Sequence, residues 1–314
     1  MSLIAWTLVR AAQEAALHAP AAQEAGAHGA GGETDLAELI THHLADSHEI
    51  ELPFFLGTLH LPQGWNVDLG PLGVVDFAPT KHVVLMMLAA LLCLLVFIPV
   101  ARATARRKEG EAPKGFAGGM EALVLYFRDE VVRKNIGHGA DAYAPYILTL
   151  FFFILFMNML GLVPWGGSAT GNISVTLALA LMTFVLVEIS GMRALGLKGY
   201  LNTIFYVPHG MSGFGALMML IIMTPVEFMG KLTKPFALTI RLFANMMAGH
   251  TLVFALGGLV VTITVLTAGT IAGGIGATLL ATFVMVLETG VALLQAGIFA
   301  LLTSVFIGLI RHAH

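Results

Sequence analysis

The sequence predicts an all-α integral membrane protein with about five transmembrane helices and one amphipathic helix on the cytoplasmic surface. Three observations carry this. Of the 314 residues 57% are hydrophobic and 11% charged, and the mean hydropathy is +0.86, far from the balance of an ordinary soluble domain. Several apolar runs reach the roughly 20 residues that a bilayer crossing needs. Basic residues then follow those runs, at Arg102, Arg106, Arg107 and Lys108, at Arg193 and Lys198, and at Arg311. With 16 basic against 19 acidic residues, and the bases scattered or placed beside apolar runs, no basic stripe exists and nucleic-acid binding is excluded. The lone cysteine, Cys93, lies inside an apolar run and reads as a small buried hydrophobe.

Residues 1–51 are expected to be a flexible N-terminal tail, most clearly over 1–35, and 52–314 the membrane domain. Arg10 and Glu14 interrupt the only weakly apolar stretch near the start, so a cleaved signal peptide fits poorly, although removal of part of the tail stays open. The first span is expected at about 82–101. The basic cluster after it places that end in the cytoplasm and the N-terminus outside, by the positive-inside rule. Over 116–137, Met120, Leu123, Val124, Phe127, Val131 and Val132 recur at helical spacing among Arg128, Asp129, Glu130, Arg133 and Lys134. That pattern fits a helix on the cytoplasmic surface, or equally one packed on the protein itself. Spans at about 145–163 and 172–192 form a hairpin around the turn-rich Pro164 to Ser168. Two longer segments come next, 211–262 and 271–311. The first contains Pro225, Lys231, Lys234 and Pro235, and reads either as two spans or as one long helix, kinked and strongly tilted. An odd number of crossings puts the C-terminus, after Arg311 and His312, in the cytoplasm. No internal repeat is evident, which counts against an inverted-repeat transporter.

An ionisable side chain inside a span costs about 2.5–3.5 kcal/mol on insertion scales, so each such residue needs a partner, a water cavity or a task. At 100° per residue, Glu227, Lys234, Arg241 and Asn245 all fall within about 40° of Arg241. They form one stripe, shared with Ala237, Ala248 and Leu252, so beyond Arg241 the surface is small or apolar and suited to close approach by another helix. Glu288 and Gln295, seven residues apart, share a face of the last helix about 10.5 Å apart along the axis. His250 lies about 180° from Arg241 and about 13.5 Å further on, outside the stripe, where it could face Glu288. Arginine keeps its charge at physiological pH, so the role of Arg241 is electrostatic. Glu227, Glu288 and His250 can bind and release protons. Gln295 and Asn245 can hydrogen-bond water without adding charge.

Each of these has a plainer reading. Arg241 could snorkel, and His250 and Glu288 could simply hydrogen-bond between helices. Lys231 and Lys234 read as interfacial anchors. Glu188, near Arg193, reads as an interface residue or a contributor to a water path. His18, His28, His42, His43, His48 and His60 show no convergent spacing, so neither a metal nor another cofactor is expected.

Lys234-Pro235, then Arg241-Leu242-Phe243-Ala244-Asn245-Met246 and Ala248-Gly249-His250, resemble the hallmark segment of subunit a of the F-type ATP synthase membrane (Fo) sector. Asn158 to Pro164, Gly171 to Thr176, and Gln295-Ala296 with Ile298-Phe299 are similar to that family as well. The resemblance runs from about Leu52 to His314.

It implies a stator for a rotating ring of c subunits, each with one carboxylic acid at mid-membrane depth. Two offset aqueous half-channels would reach that ring. Arg241 would be the ring-facing charge, with Asn245 and Gln295 as polar neighbours and Glu227, His250 and Glu288 in the half-channels. The implied partners are the c-ring, b-type peripheral stalk subunits, the rest of the complex and lipid. The implied location is a bacterial inner membrane, and ATP formation belongs to a separate head. Two departures stand out: the family pattern has an acid at the His250 position and a histidine at the Glu288 position, here exchanged, and Ala244 stands where the pattern has glycine. The rival readings are a secondary transporter using Arg241 to bind an anion, a scaffold whose polar residues only hold helices together, and a sodium-coupled version of the same stator.

Overall fold

The computed structural model describes residues 49–51, 58–62, 66–68, 74–76, 78–108, 114–162, 168–205, 213–266 and 271–312; within its helices, side chains at 216, 250, 253–266, 271–275, 277–278 and 281 fall outside the description. The chain divides into two units, Met1–Asp35 and Leu36–His314, and all the described residues belong to the second. Most of the expected tail, with all its histidines, lies outside the described residues.

Two short hairpins precede the helices. β1 (Glu49–Glu51) pairs antiparallel with β2 (Thr58–His60), and β3 (Asn66–Asp68) with β4 (Val74–Asp76). β1, β2 and β3 alternate polar and apolar residues, the period of a strand, with Ile50 opposite Leu59 and Val67 opposite Val75. The expected tail boundary at residue 51 therefore falls at the end of a paired strand.

The first helix, α1 (Lys81–Ala105), runs on into its basic cluster. It buries only Lys81, His82, Leu85, Ala89 and Val100, and leaves Met87, Leu91, Leu94 and Leu95 exposed, as expected of a helix facing lipid. The second, α2 (Gly115–Tyr126), continues through a π-helical turn, Phe127–Arg133, and a last turn, Lys134–Ile136. Arg107 at the end of α1 pairs with Glu121 of α2. Of the two readings of this segment, packing on the protein describes its second half: Val132 and Ile136 are fully buried and Phe127 stacks on Phe151 with ring centroids 4.2 Å apart. Phe116 and Tyr126 stay exposed. Arg133 grips Asp141 with two hydrogen bonds, 2.9 and 3.0 Å, and these hold the Asp141 carboxyl below its usual range.

The hairpin is α3 (Ala144–Gly161) and α4 (Ile173–Ile204), the latter capped by the Asn172 side chain accepting from the Ser174 N–H at 2.8 Å. α4 outruns its expected end near 192, because Arg193 and Lys198 do not terminate a helix. Its break comes at Gly196, where φ is +69°, a region open to glycine and costly for other residues. The two readings of the next segment resolve to one helix, α5 (Phe214–Leu266), 53 residues that include Pro225 and Pro235. The last is α6 (Ile271–Arg311).

Among the described residues, α1, α3, α4 and Thr282–Arg311 of α6 are long and apolar enough to cross a membrane. α5 packs on α4 and α6, α6 also on α3 and α4, and α1 on α3. Apolar burial drives helix association weakly in lipid, so close packing of small residues matters more. α6 presents such a ladder, with Ala292, Ala296, Ala300, Ser304 and Gly308 all buried at four-residue spacing. At its far end Gly308 lies so close to the Asn135 carbonyl that a Cβ would collide with it.

Candidate functional site

On α5 the stripe drawn from the sequence is the open side of the helix. Glu227, Ala237, Arg241, Ala248 and Leu252 are exposed and Asn245 is half-buried; Ala244, beside the stripe, is exposed as well. A second stripe, Lys231, Pro235, Leu238, Thr239, Leu242 and Met246, centred about 110° around the helix from Arg241, is buried. Polarity alone therefore does not sort this part of α5: Arg241 is exposed, whereas Leu238 and Leu242 are buried against the neighbouring helices. Lys234 leans off the stripe, with its ammonium 5.4 Å from the centre of the Phe306 ring of α6.

Glu288 and Gln295 share the inward face of α6 with Ala292, and all three are buried. The Glu288 carboxyl points at Gly249 of α5, where a Cβ would stand 3.3 Å from Oε1. Glycine at 249 therefore makes the room the carboxyl occupies. The buried Oε1 has no hydrogen-bond partner among the described residues, a costly state for a carboxyl unless water or a proton completes it. The side chain of His250, the expected partner, lies outside the described residues; its backbone neighbour Gly249 provides the contact to α6.

Beside Ala292, between Glu288 and Gln295, lies a polar cluster of Asn158, Ser168 and Thr170. Thr170 donates to the Asn158 Oδ1 at 2.8 Å, the Ser168 and Thr170 hydroxyls are 2.8 Å apart, and the Asn158 amide reaches the Ala292 carbonyl at 3.4 Å. Asn158 and Thr170 are buried to 1% and 0% exposure, so these bonds are the reason the groups can sit there. Gly161, one turn on, leaves no room for a Cβ between Met246 and Ser168, which brings α3 against α5 beside Asn245. The one signal of this cluster in the sequence is Asn158 itself, a lone amide in an apolar run.

A second buried group joins α4 to α5. Lys231, expected as an interfacial anchor, is buried, and Glu188, expected as an interface or water-path residue, is its partner. Lys231 Nζ lies 3.2 Å from Glu188 Oε2, with side-chain exposures of 9% and 14%, and 4.2 Å from the centre of the Tyr200 ring. The Tyr200 hydroxyl donates to the same carboxylate. Among the described residues no three His, Cys, Asp or Glu side chains converge as a metal site would need.

The family model described as ATP synthase A chain matches residues 83–308. ATP synthase subunit a 2 of Chlorobium luteolum is 42% identical over 303 residues, spanning 96% of this chain and 84% of the relative. ATP synthase subunit a of Anaeromyxobacter dehalogenans is 42% identical over 94% of this chain and 77% of its own length. That of Chloroherpeton thalassium is 43% identical over 85% and 75%. With a match that spans α1 to α6 and takes in every candidate site residue, the chain belongs to the ATP synthase A chain family, the family of subunit a.

Proposed function

We propose that this chain is the stationary, proton-conducting subunit of an F-type ATP synthase and that Arg241 is its fixed charge toward a ring of c subunits. The observation that carries the reading is the exposure of Arg241 on an α5 face where Ala237, Ala244 and Ala248 lie around it. A permanent cation on a small-residue face of a lipid-embedded helix is costly unless another membrane subunit covers it and supplies the counter-charge. At 1.5 Å per residue α5 is about 80 Å long against a hydrocarbon core of roughly 30 Å, so it lies strongly inclined together with α6.

The basic clusters after α1 and at Arg193 and Arg311 orient the N-terminus outward and the C-terminus to the cytoplasm. In that orientation Glu288, Gln295, Asn245 and His250 line the outer half-channel and Glu227 the inner one. A ring carboxyl passing Arg241 is stabilised as the anion and gives up its proton to one channel; another takes a proton from the other channel. Arg241 itself carries none, and its charge blocks direct passage between the channels. b-type stalk subunits hold the chain still, in a bacterial inner membrane. Purified chain in vesicles alone should show no proton flux, and co-reconstitution with the c-ring should establish it. Substrate-dependent flux from the chain alone would contradict the reading and favour an anion transporter.

A further inference from the structure

The geometry points to Lys231, Glu188 and Tyr200 as positioning residues: a buried clamp between α4 and α5 that fixes the rotation of α5 and so holds Arg241 on its open face. The inference rests on the role proposed for Arg241 and adds the group that aims it.

Around Arg241 the inward stripe of α5 is Pro235, Leu238, Leu242 and Thr239, whose hydroxyl is spent on the Pro235 carbonyl of its own helix. Such a surface sets rotation weakly in a membrane, because lipid tails solvate it about as well as protein does. Lys231 is different. A buried ammonium has few acceptable settings, and here it has one, 3.2 Å from Glu188 Oε2 and 4.2 Å from the Tyr200 ring centre. Lys231 and Arg241 are ten residues apart, which fixes them about 80° apart around the helix and about 15 Å along it. Anchoring the first therefore aims the second.

The clamp is built by the break in α4. Glu188 and Tyr200 are twelve residues apart, about 18 Å along a straight helix, beyond the reach of their side chains. The Gly196 backbone, at φ +69° and ψ 167°, turns the chain so that the Tyr200 hydroxyl meets the Glu188 carboxylate. A competitor sits close by: Lys234 lines the same small crevice as Glu188, with Thr183, Pro235 and Phe306. Were Lys234 to replace Lys231 as the partner of Glu188, α5 would turn by about 60° and carry Arg241 with it.

The test uses the assembled complex in membrane vesicles, reading protons pumped per ATP hydrolysed and passive proton permeability. Lys231→Met and Glu188→Gln are expected to lower coupling several-fold without lowering passive permeability, because the gate is misaimed while the path remains. Lys231→Arg, which keeps the charge, is expected to retain coupling. The double variant Glu188→Leu with Lys231→Leu removes the uncompensated charge and is expected to assemble but stay poorly coupled; it decides alone if the single variants do not accumulate. Normal coupling in the double variant overturns the inference, as does a fall in passive permeability, which would make Glu188 a proton carrier. Arg241→Ala separates the two layers. Normal coupling there refutes the role of Arg241, whereas its loss beside fully coupled clamp variants refutes only the clamp.

Discussion

Glu288 enters the α5–α6 contact through the gap left by Gly249 and arrives without a hydrogen-bond partner for Oε1 among the described residues. A group in that position is useful where protons are passed on, since water or a neighbouring base can complete the bond and remove the proton. Glu288→Gln keeps size and shape but has no proton to release. Complexes carrying it should assemble in normal amount, with proton pumping reduced several-fold in a vesicle acidification assay. Undiminished pumping would mean that Glu288 only packs. The stripe through Glu227, Arg241 and Asn245 is legible in the sequence because 100° per residue holds along α5 despite Pro235. Asn158 is not, because one amide in an apolar run has no partner in sequence: Thr170 and the Ala292 carbonyl come to it only through the fold. Lys231 escapes the sequence for a related reason. It lies off the arginine stripe, and only the turn at Gly196 and the course of α4 show what it faces.

Among the elements, α6 connects the site to the rest of the molecule by its ladder of small residues. The ladder begins one turn after Glu288 and ends at Gly308, against the Asn135 carbonyl. Because that neighbour is backbone, it cannot yield as a flexible side chain would. Gly308→Ala should therefore destabilise the chain by about 1–3 kcal/mol, the cost of overpacking, seen as a lower unfolding midpoint in detergent and easier proteolysis after Arg133. An unchanged midpoint would show that the end of α2 is not seated there. Helix existence and order are readable from apolar runs, and α1 and α3 begin within one residue of expectation. The end of α4 is not readable in that way, since charge at Arg193 looks like a stop and the backbone break comes three residues beyond it, at Gly196. The strands of the two hairpins before α1 are three residues each, too short to stand out beside a membrane domain.

At the scale of the whole molecule, the buried faces of α3, α4 and α6 support one another, and the face of α5 that bears Arg241 is left open. The ring of carboxyl-bearing helices proposed above is the complement that such an open face would take. The most direct measurement is ATP-driven proton pumping, with complex content measured in parallel, in membranes carrying Arg241→Ala. A fixed electrostatic gate predicts an assembled complex that hydrolyses ATP but does not couple it to proton movement. An assembled complex with normal coupling would contradict the account.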